Sequence, residues 1–466
     1  MNDIAFSCVT PGVSTGKGGA LLTSNDLVGD DGNPRALMTV PSALILSLER
    51  VLEYSKVDKN FREVLESLGE FGRTSRGAIL PFLLVQASVS SPDLPERVGI
   101  HSPFTEYVRS LPSELLPTFW SASELHLLIG TTLAPAITSK LRSLRREYDN
   151  LREATEPTHW FQTVQDTLTF DDWLQVDAMY RSRALDFPGI GHCMVPCIDL
   201  ANHAAGEATT AIYEKDVEGN AVLLLRNGRS IAKGEEVTIT YGDEKGACEM
   251  LFSYGFLEAD RQSAETLFLS LNIPDDDPFR SAKSCFADCA PGFKIIDTGN
   301  GEVDWKGEFV WLLCVTAEEG LHFDLARTVD GEEEMQAFFG ENELRGGAAE
   351  LYTLLGKTEM WDVYRLRAVA IVQQRVFEQM QVLYGTQEDA EAMSHGEGTE
   401  IRERCYEQTM QLRRLEFELL ERAYEDFEKQ KVELAGSEVV RGYLARVNDD
   451  GDSPGVNPEQ EDEDFS

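Results

Sequence analysis

Basic residues are scarce in this chain. Lysine and arginine together number 42 against 81 aspartates and glutamates, leaving a net charge of −39 over 466 residues. A chain so acidic repels phosphate backbones, which excludes general nucleic-acid binding unless a local basic patch overrides it. The same charge steers basic partners, such as Lys-rich protein segments. Cysteine is sparse as well: eight in the whole sequence, a usage that fits reduced thiols in the cytoplasm and/or nucleus and not a disulfide-stapled fold. Long apolar runs are missing. The best candidates, 78–87 and 309–317, fall short of the roughly 18 residues a membrane span needs, and Pro81 and Gln86 interrupt the first. Asp3 stands where a secretory signal would carry basic charge, and no long apolar core follows it. Neither secretion nor membrane insertion is expected. What remains is ordinary for a globular protein, 42% hydrophobic and 9% aromatic, with length for roughly three domains.

Patterning along the chain changes four times. Residues 1–40 are rich in Gly, Ser, Thr and Val, with short strand-like pieces around turns at 16–19 and 29–33. From about residue 42 the spacing becomes helical, as in Ile45, Leu48, Val51 and Leu52, with Pro112, Pro117 and Pro135 as punctuation. Strand character returns at 221–225 and at 237–241, where VTITY sits between Gly234 and Gly242. Beyond Leu271 helical stripes dominate: Val363, Leu366, Val369, Val376, Met380 and Leu383, then Leu412, Leu415, Leu419 and Ala423. A polar linker at 395–399 separates the two. The stretch 448–466 is acidic with Pro454 and Pro458 and is expected to be disordered. The order predicts a split α+β domain followed by an all-α domain.

Three clusters could carry chemistry. The first is Thr15-Gly16-Lys17-Gly18-Gly19-Ala20-Leu21, whose glycines permit a tight turn and close approach to a ligand, but which lacks the Gly-Lys-Ser/Thr ending of a phosphate loop. The second is Val195-Pro196-Cys197-Ile198-Asp199-Leu200-Ala201-Asn202-His203-Ala204, preceded by Arg181-Ser182-Arg183. The third runs from Gly234-Glu235-Glu236 to Tyr241-Gly242, followed by Ser253-Tyr254-Gly255-Phe256. Taken singly, these read as a surface turn, a turn with a satisfied histidine, and strand-end aromatics on a core.

Taken in order, the three resemble the SET-domain protein methyltransferases, in the branch typified by the Rubisco large-subunit lysine methyltransferase. The likeness runs from about residue 12 to residue 444. Between the clusters, Ser102-Pro103-Phe104-Thr105-Glu106-Tyr107, Leu111-Pro112, Phe119-Trp120 and Leu128-Ile129-Gly130-Thr131 echo that branch. The resemblance implies an α+β SET-domain β-fold with a threaded (pseudoknot) crossing, split by a helical insert and followed by an all-α C-terminal domain. The corresponding boundaries are 1–265 for the SET domain, with its insert at about 42–165, 266–445 for the helical substrate-binding-like domain, and 446–466 for an acidic tail.

By the same resemblance the cofactor is S-adenosylmethionine (SAM), bound by Gly16, Lys17, Gly18, Ser182, Arg183, Asp199, Asn202, His203 and Tyr241. Arg183 would pair with its carboxylate and Asp199 with its ammonium. Tyr241 is the expected catalytic residue, its hydroxyl aligning amine and sulfonium. Leu185, Tyr254 and Phe256 would line the substrate channel. The attacking lysine must be uncharged. At neutral pH only about one free lysine in a thousand is, a deficit of roughly 4 kcal/mol that a dry channel beside a sulfonium reduces. The expected partner is a protein, through a Lys-rich segment, and the chain is expected to act as a monomer without direct nucleic-acid or membrane contact.

Two positions depart from the family pattern. Leu185 stands where an aromatic is common, which leaves the number of methyls open, and Gly19 stands where a larger apolar residue is common. A histidine-methylating branch carries Trp before the motif's Asp. Ile198 here favours lysine. A catalytically silent SET fold used as an interaction module is the alternative of a different class. No metal is expected. Cys193 and Cys197, like Cys285 and Cys289, are four apart, wider than zinc pairs usually are. The acidic run 332–334 lacks calcium-loop spacing and reads as solvated surface. His192 reads as a loop residue, and Arg413, Arg414 and Arg422 read as the charged face of a helical bundle.

Overall fold

A computed structural model describes residues 3–29, 35–89, 91, 94, 97–113, 115–287, 289–327 and 333–451. Two compact units emerge. The first comprises Met1–Leu127, Leu133–Ala259 and Ser394–Gln408; the second comprises Leu128–Thr132, Asp260–Met393 and Thr409–Ser466. Each unit therefore holds a short segment from a distant part of the chain.

The first unit opens with β1 (Ala5–Phe6), β2 (Val9–Ser14), β3 (Gly18–Thr23), β4 (Leu27–Val28) and β5 (Ala36–Val40). After the insert come β6 (Leu185–Phe187), β7 (Gly191–Cys193), β8 (Asn202–His203), β9 (Ala211–Lys215), β10 (Ala221–Leu225), β11 (Ser230–Ile231) and β12 (Glu236–Ile239). Two four-stranded sheets result, in the orders β1-β5-β10-β9 and β2-β3-β12-β8. β10 shows why the sequence makes a strand there: Ala221, Leu223 and Leu225 are buried while Val222 and Leu224 are half-buried, a period of two. Leu21, Leu37, Met38, Val40, Val237 and Ile239 join them in one buried cluster.

The insert is a helical bundle with its own core. Ser75–Val89 is buried on nearly all sides, whereas Leu133–Thr155 buries only Leu133, Ile137, Leu144, Tyr148, Leu151 and Thr155, one helical face. Starts are marked by side-chain caps: Ser47 and Asp58 accept from backbone N–H groups, and Ser102 and Thr169 form capping boxes with Thr105 and Asp172. The helical stretch continues past the expected end near 165, because Phe170–Arg183 is also a helix. Its buried Asp177 lies 2.7 Å from Arg76 and 2.9 Å from Lys140, with Arg181 at 3.3 Å. Burial alone would raise that carboxyl, but the cations outweigh it and hold the group low. Leu46 and Met194 exchange backbone hydrogen bonds where the insert leaves and rejoins the strands.

The segment 394–408 completes the first unit. The Glu124 carboxylate, 1% exposed, accepts from the Arg402 backbone at 3.0 Å and from its guanidinium at 2.5 and 2.7 Å. Arg404 donates to the Gly255 carbonyl at 3.4 Å.

In the second unit, the expected all-α character holds from Gly347 onward, through Gly347–Leu355, Trp361–Gly385, Gln387–Ala392, Glu403–Ala435 and Glu438–Gly451. Of these helices, Glu403–Ala435 contributes its residues from Thr409 on. Before Gly347 lie β13 (Thr266–Ser270), β14 (Gly292–Asp297) and β15 (Val303–Lys306), and then β16 (Leu321–Arg327), β17 (Glu333–Phe339) and β18 (Asn342–Glu343). They form two antiparallel three-stranded sheets where helices were expected. The alternation in β13, with Leu267 and Leu269 buried between exposed Phe268 and Ser270, is the cause. Leu412, Leu415, Leu419 and Ala423 are buried as their spacing predicts. Of the tail expected to be disordered, 448–451 continue the last helix, and the remainder lies outside the described residues, as does part of the turn at 29–33 and of the acidic run at 332–334. Among the described residues no helix is long and apolar enough to cross a membrane.

Candidate functional site

The glycine cluster is the turn of a hairpin. β2 pairs antiparallel with β3, and Gly16 and Gly18 take φ values of 78° and 85° that the reversal requires. β3 also pairs with β12, placing this turn beside the Gly-Glu-Glu strand. β8, the Asn-His segment, runs parallel to β12, with Asn202 opposite Thr238 and His203 opposite Ile239. Three stretches remote in sequence thus share one sheet, and β8 is its edge.

Side chains tie these strands together. Glu236 accepts from Lys17 at 3.1 Å and from Ser14 at 3.4 Å, and also binds the Asn202 amide. Asn202 donates to the Gly19 carbonyl at 3.2 Å. A Cβ at residue 19 would stand 3.2 Å from a Leu200 methyl, so the unusual glycine there accommodates Leu200. Just upstream, Cys197 adopts φ 71°, a left-handed backbone rare for a side-chain-bearing residue, at the entry to the turn Ile198–Leu200.

Beyond β12 the chain gathers rings. Tyr241 lies 4.5 Å from Tyr254, 5.2 Å from His203 and 6.4 Å from Phe256 between ring centroids. The Tyr241 hydroxyl donates to the Ala201 carbonyl at 3.0 Å, and its backbone N–H donates to His203 Nδ1 at 3.0 Å. His203 Nε2 meets the Glu258 carboxylate at 3.0 Å, so the ring proton sits on Nε2. Tyr254 closes the helix Ala247–Tyr254, and Gly255 turns the chain back at φ 75°. A Cβ at 255 would lie 2.7 Å from the Leu115 carbonyl oxygen. Burial, followed by the neighbouring Glu249, pushes the Tyr254 phenol up to about 12, so it stays protonated.

Other residues named from the sequence take different places. Arg183 and Asp199 bind each other: Arg183 donates to the Asp199 carbonyl at 3.1 Å and lies 3.5 Å from its carboxylate. The same carboxylate, 2% exposed, accepts from the Tyr107 hydroxyl at 2.7 Å. Burial raises both the Asp199 carboxyl and the Tyr107 phenol. Asp199 thus forms a buried link to the insert. Ser182 donates to the Ala178 carbonyl of its own helix at 2.7 Å. Leu185, 8% exposed, belongs to the β core, against which Tyr241 also packs. Arg181 anchors the helix that carries Tyr254, donating to the Phe252 carbonyl at 2.8 Å with its guanidinium 4.5 Å above the Phe252 ring. Glu236 enters the sequence reading only as part of the Gly-Glu-Glu run, with no role of its own, and Glu258 does not enter it. A glutamate leading directly into the β-branched run Val237–Ile239 was the available sign for the first; the second had none. Among the described residues no group of three or more His, Cys, Asp or Glu side chains could hold a metal.

No family model matches the chain. SET domain-containing protein 8 of Schizosaccharomyces pombe is 28% identical over 266 residues, 55% of this chain and 58% of that protein. The Rubisco large subunit N-methyltransferase of Pisum sativum is 31% identical over 194 residues, 40% of this chain and 39% of its own length. An actin-histidine N-methyltransferase of Danio rerio is 27% identical over 173 residues, 35% and 28% of the two chains. The matched stretches thus span about half or less of these relatives. Among solved structures, the SET domain of LSMT bound to methyllysine and AdoHcy superposes with a TM-score of 0.63 at 20% identity, over 98% of this chain and 95% of that one. Rubisco LSMT bound to AdoMet gives 0.61 at 20% identity, over 97% and 94%. A sheet that unites the three motifs, a helical insert between its strands, and these likenesses lead to one assignment: the chain has the SET-domain fold, on the plan of the Rubisco large-subunit methyltransferase.

Proposed function

We propose that the protein is an S-adenosylmethionine-dependent protein-lysine N-methyltransferase. The observation that carries this reading is the convergence of the 16–18 turn, Asn202-His203 and the Tyr241–Tyr254–Phe256 rings. The residues suit the cofactor. A Cβ at 16 or 18 would meet nothing within 4 Å, so the turn's backbone is open to a ligand. The Ala204 N–H bonds the Ile239 carbonyl, so strand alternation turns the N–H and C=O of His203 away from β12, at the sheet edge. When bound, S-adenosylmethionine supplies an electrophilic methyl group on a positively charged sulfonium.

The chain's own groups position and desolvate. With its proton committed to the Ala201 carbonyl, Tyr241 offers oxygen lone pairs to polarised C–H groups and holds an amine in line. Tyr254 and Phe256 supply apolar ring surface that excludes water and disfavours a second positive charge, lowering the pKa of an entering lysine. A protonated Tyr254 serves as a wall and not as a base. Glu236 fixes Lys17 and Asn202, and Glu258 fixes the His203 ring. Arg183, held by Asp199, sits at the end of its helix, where it would face the cofactor's carboxylate.

The partner on this reading is a protein presenting a lysine in a Lys-rich segment, drawn by the net charge of −39. The protein acts as a monomer in the cytoplasm or nucleus, a setting in keeping with eight free cysteines. Lysine is favoured over histidine because Ile198 replaces the tryptophan of the histidine-directed branch. The test is transfer of a labelled methyl group from SAM into a lysate of cells lacking the protein, with mass spectrometry of the labelled site. Label on lysine supports the reading. Label confined to histidine, or none together with no SAM binding by calorimetry, defeats it.

A further inference from the structure

The second unit contains a groove that the SET motifs leave unused. Three of the chain's six tryptophans meet there. Trp305, at the end of β15, stacks on Trp311 at 5.7 Å, and Trp311 stacks on Trp361 at 5.2 Å, both pairs 29° from parallel. Tyr352 joins at 4.9 Å from Trp311 and stands edge-on to Trp361 at 5.5 Å. The groove holds about 620 Å³, a size typical of ligand sites. Tyr352 is 46% exposed and Trp305 and Trp361 are half-buried, so the rings present surface to whatever enters.

Charge decides the occupant. Asp304, Lys306, Glu308 and Arg365 also line the groove. Arg365 has a counter-ion of its own in Asp362, at 3.6 Å. Two carboxylates then face one lysine, and among the described residues the Glu308 carboxylate has no hydrogen-bond or ion-pair partner. Aromatic faces carry negative potential, and the whole chain is strongly acidic. Ring faces with a net negative rim favour a cation. A bare ammonium would surrender a strong hydration shell to a wall offering few acceptors. A methylated ammonium is weakly hydrated and gains most from the rings. The stacked tryptophans leave no slot for a flat base between them, and the net charge opposes a phosphate-bearing ligand.

We propose that this groove binds a methylated lysine side chain on a protein segment, as a second site separate from the ring cluster of the first unit. It rests on the lysine-methyltransferase reading for the reason such a side chain would be at hand. A protein already modified would then be retained by the second unit, which favours further methylation of the same partner through raised local concentration.

The test is titration of the intact protein with N-acetyl-trimethyllysine methylamide and with its unmethylated counterpart, followed by tryptophan emission. Saturable quenching is expected, about tenfold tighter for the trimethylated probe. Trp361→Ala should abolish it. Glu308→Gln, an exposed and nearly isosteric change, should weaken it about threefold, and Tyr254→Ala should leave it intact. Quenching lost with Tyr254→Ala but kept with Trp361→Ala overturns the groove assignment, as does preference for a proline-rich peptide over both probes. Methyl transfer without any response to the probes removes the groove and leaves the enzyme reading standing. A response in a protein that transfers no methyl supports the groove and sinks the enzyme reading.

Discussion

Glu416 offers a prediction with a worked magnitude. It lies in the second unit, fully buried in the helix Glu403–Ala435, and its carboxylate accepts the backbone N–H of Thr132 at 3.0 Å and the hydroxyl of the same residue at 2.5 Å. Burial raises its carboxyl from 4.5 to about 7, against the Thr132 bonds and Arg413, which pull the other way. A folded-state pKa raised above the unfolded value means that the fold prefers the protonated acid. Its contribution is fully present below about pH 4.5 and is lost as pH rises through about 7. Two and a half pH units correspond to about 3 kcal/mol. Glu416→Gln mimics the protonated form and does not titrate. Relative to the parent, the variant should gain about 3 kcal/mol between about pH 5 and pH 8.5, roughly 3 °C in melting temperature for a chain of this size. Differential scanning calorimetry of both proteins at the two pH values checks this, and the comparison cancels the general effect of the net charge. An offset that is the same at both pH values, or a variant that loses ground at high pH, refutes the reasoning.

Tyr241→Phe removes the hydroxyl held by Ala201 and should slow methyl transfer about 100-fold while SAM affinity by calorimetry stays nearly constant; unchanged turnover would remove Tyr241 from its role. Glu258→Ala leaves the buried His203 Nε2–H without its acceptor, at a cost of about 1–3 kcal/mol, visible as a lowered melting temperature together with weaker SAM binding. Gly255→Ala forces a left-handed φ and a clash with the Leu115 carbonyl, and should destabilise by about 1–3 kcal/mol in thermal melts. Tyr254→Ala should enlarge the ring pocket, and mass spectrometry of the product should show more methyls per lysine than with the parent; an unchanged product distribution would take Tyr254 out of the channel wall.

Much of the first unit was legible because its signals are local. β-branched residues mark β12, the period of two marks β10, and Gly16 and Gly18 mark a turn by the φ values only glycine adopts freely. What escaped depends on partners far along the chain. The helix Phe170–Arg183 carries Asp171, Asp172, Gln175 and Asp177, which break its apolar stripe, and its burial becomes sensible only once Arg76 and Lys140 arrive beside Asp177. The pairing of Asp199 with Arg183 and Tyr107 was invisible for the same reason, since both charges look available in the sequence. Leu185 reads as a channel residue by resemblance, and strand alternation sets it in the core with Phe187, where Tyr241 packs. The strands from Thr266 to Glu343 are short and their alternation is diluted by exposed apolar residues such as Phe268 and Leu325, so helical stripes farther on dominated the pattern.

The clasp of Arg402 on Glu124 has a consequence for biosynthesis. Domains usually mature from the N-terminus as the ribosome delivers them. Here the buried Glu124 lacks its counter-charge until residue 402 has emerged, 402 − 239 = 163 residues after the last strand of the first unit. A nascent chain, or a fragment cut after residue 265, lacks the three hydrogen bonds that Arg402 gives this carboxylate. The first unit is therefore finished late, and its completion waits on the synthesis of most of its neighbour.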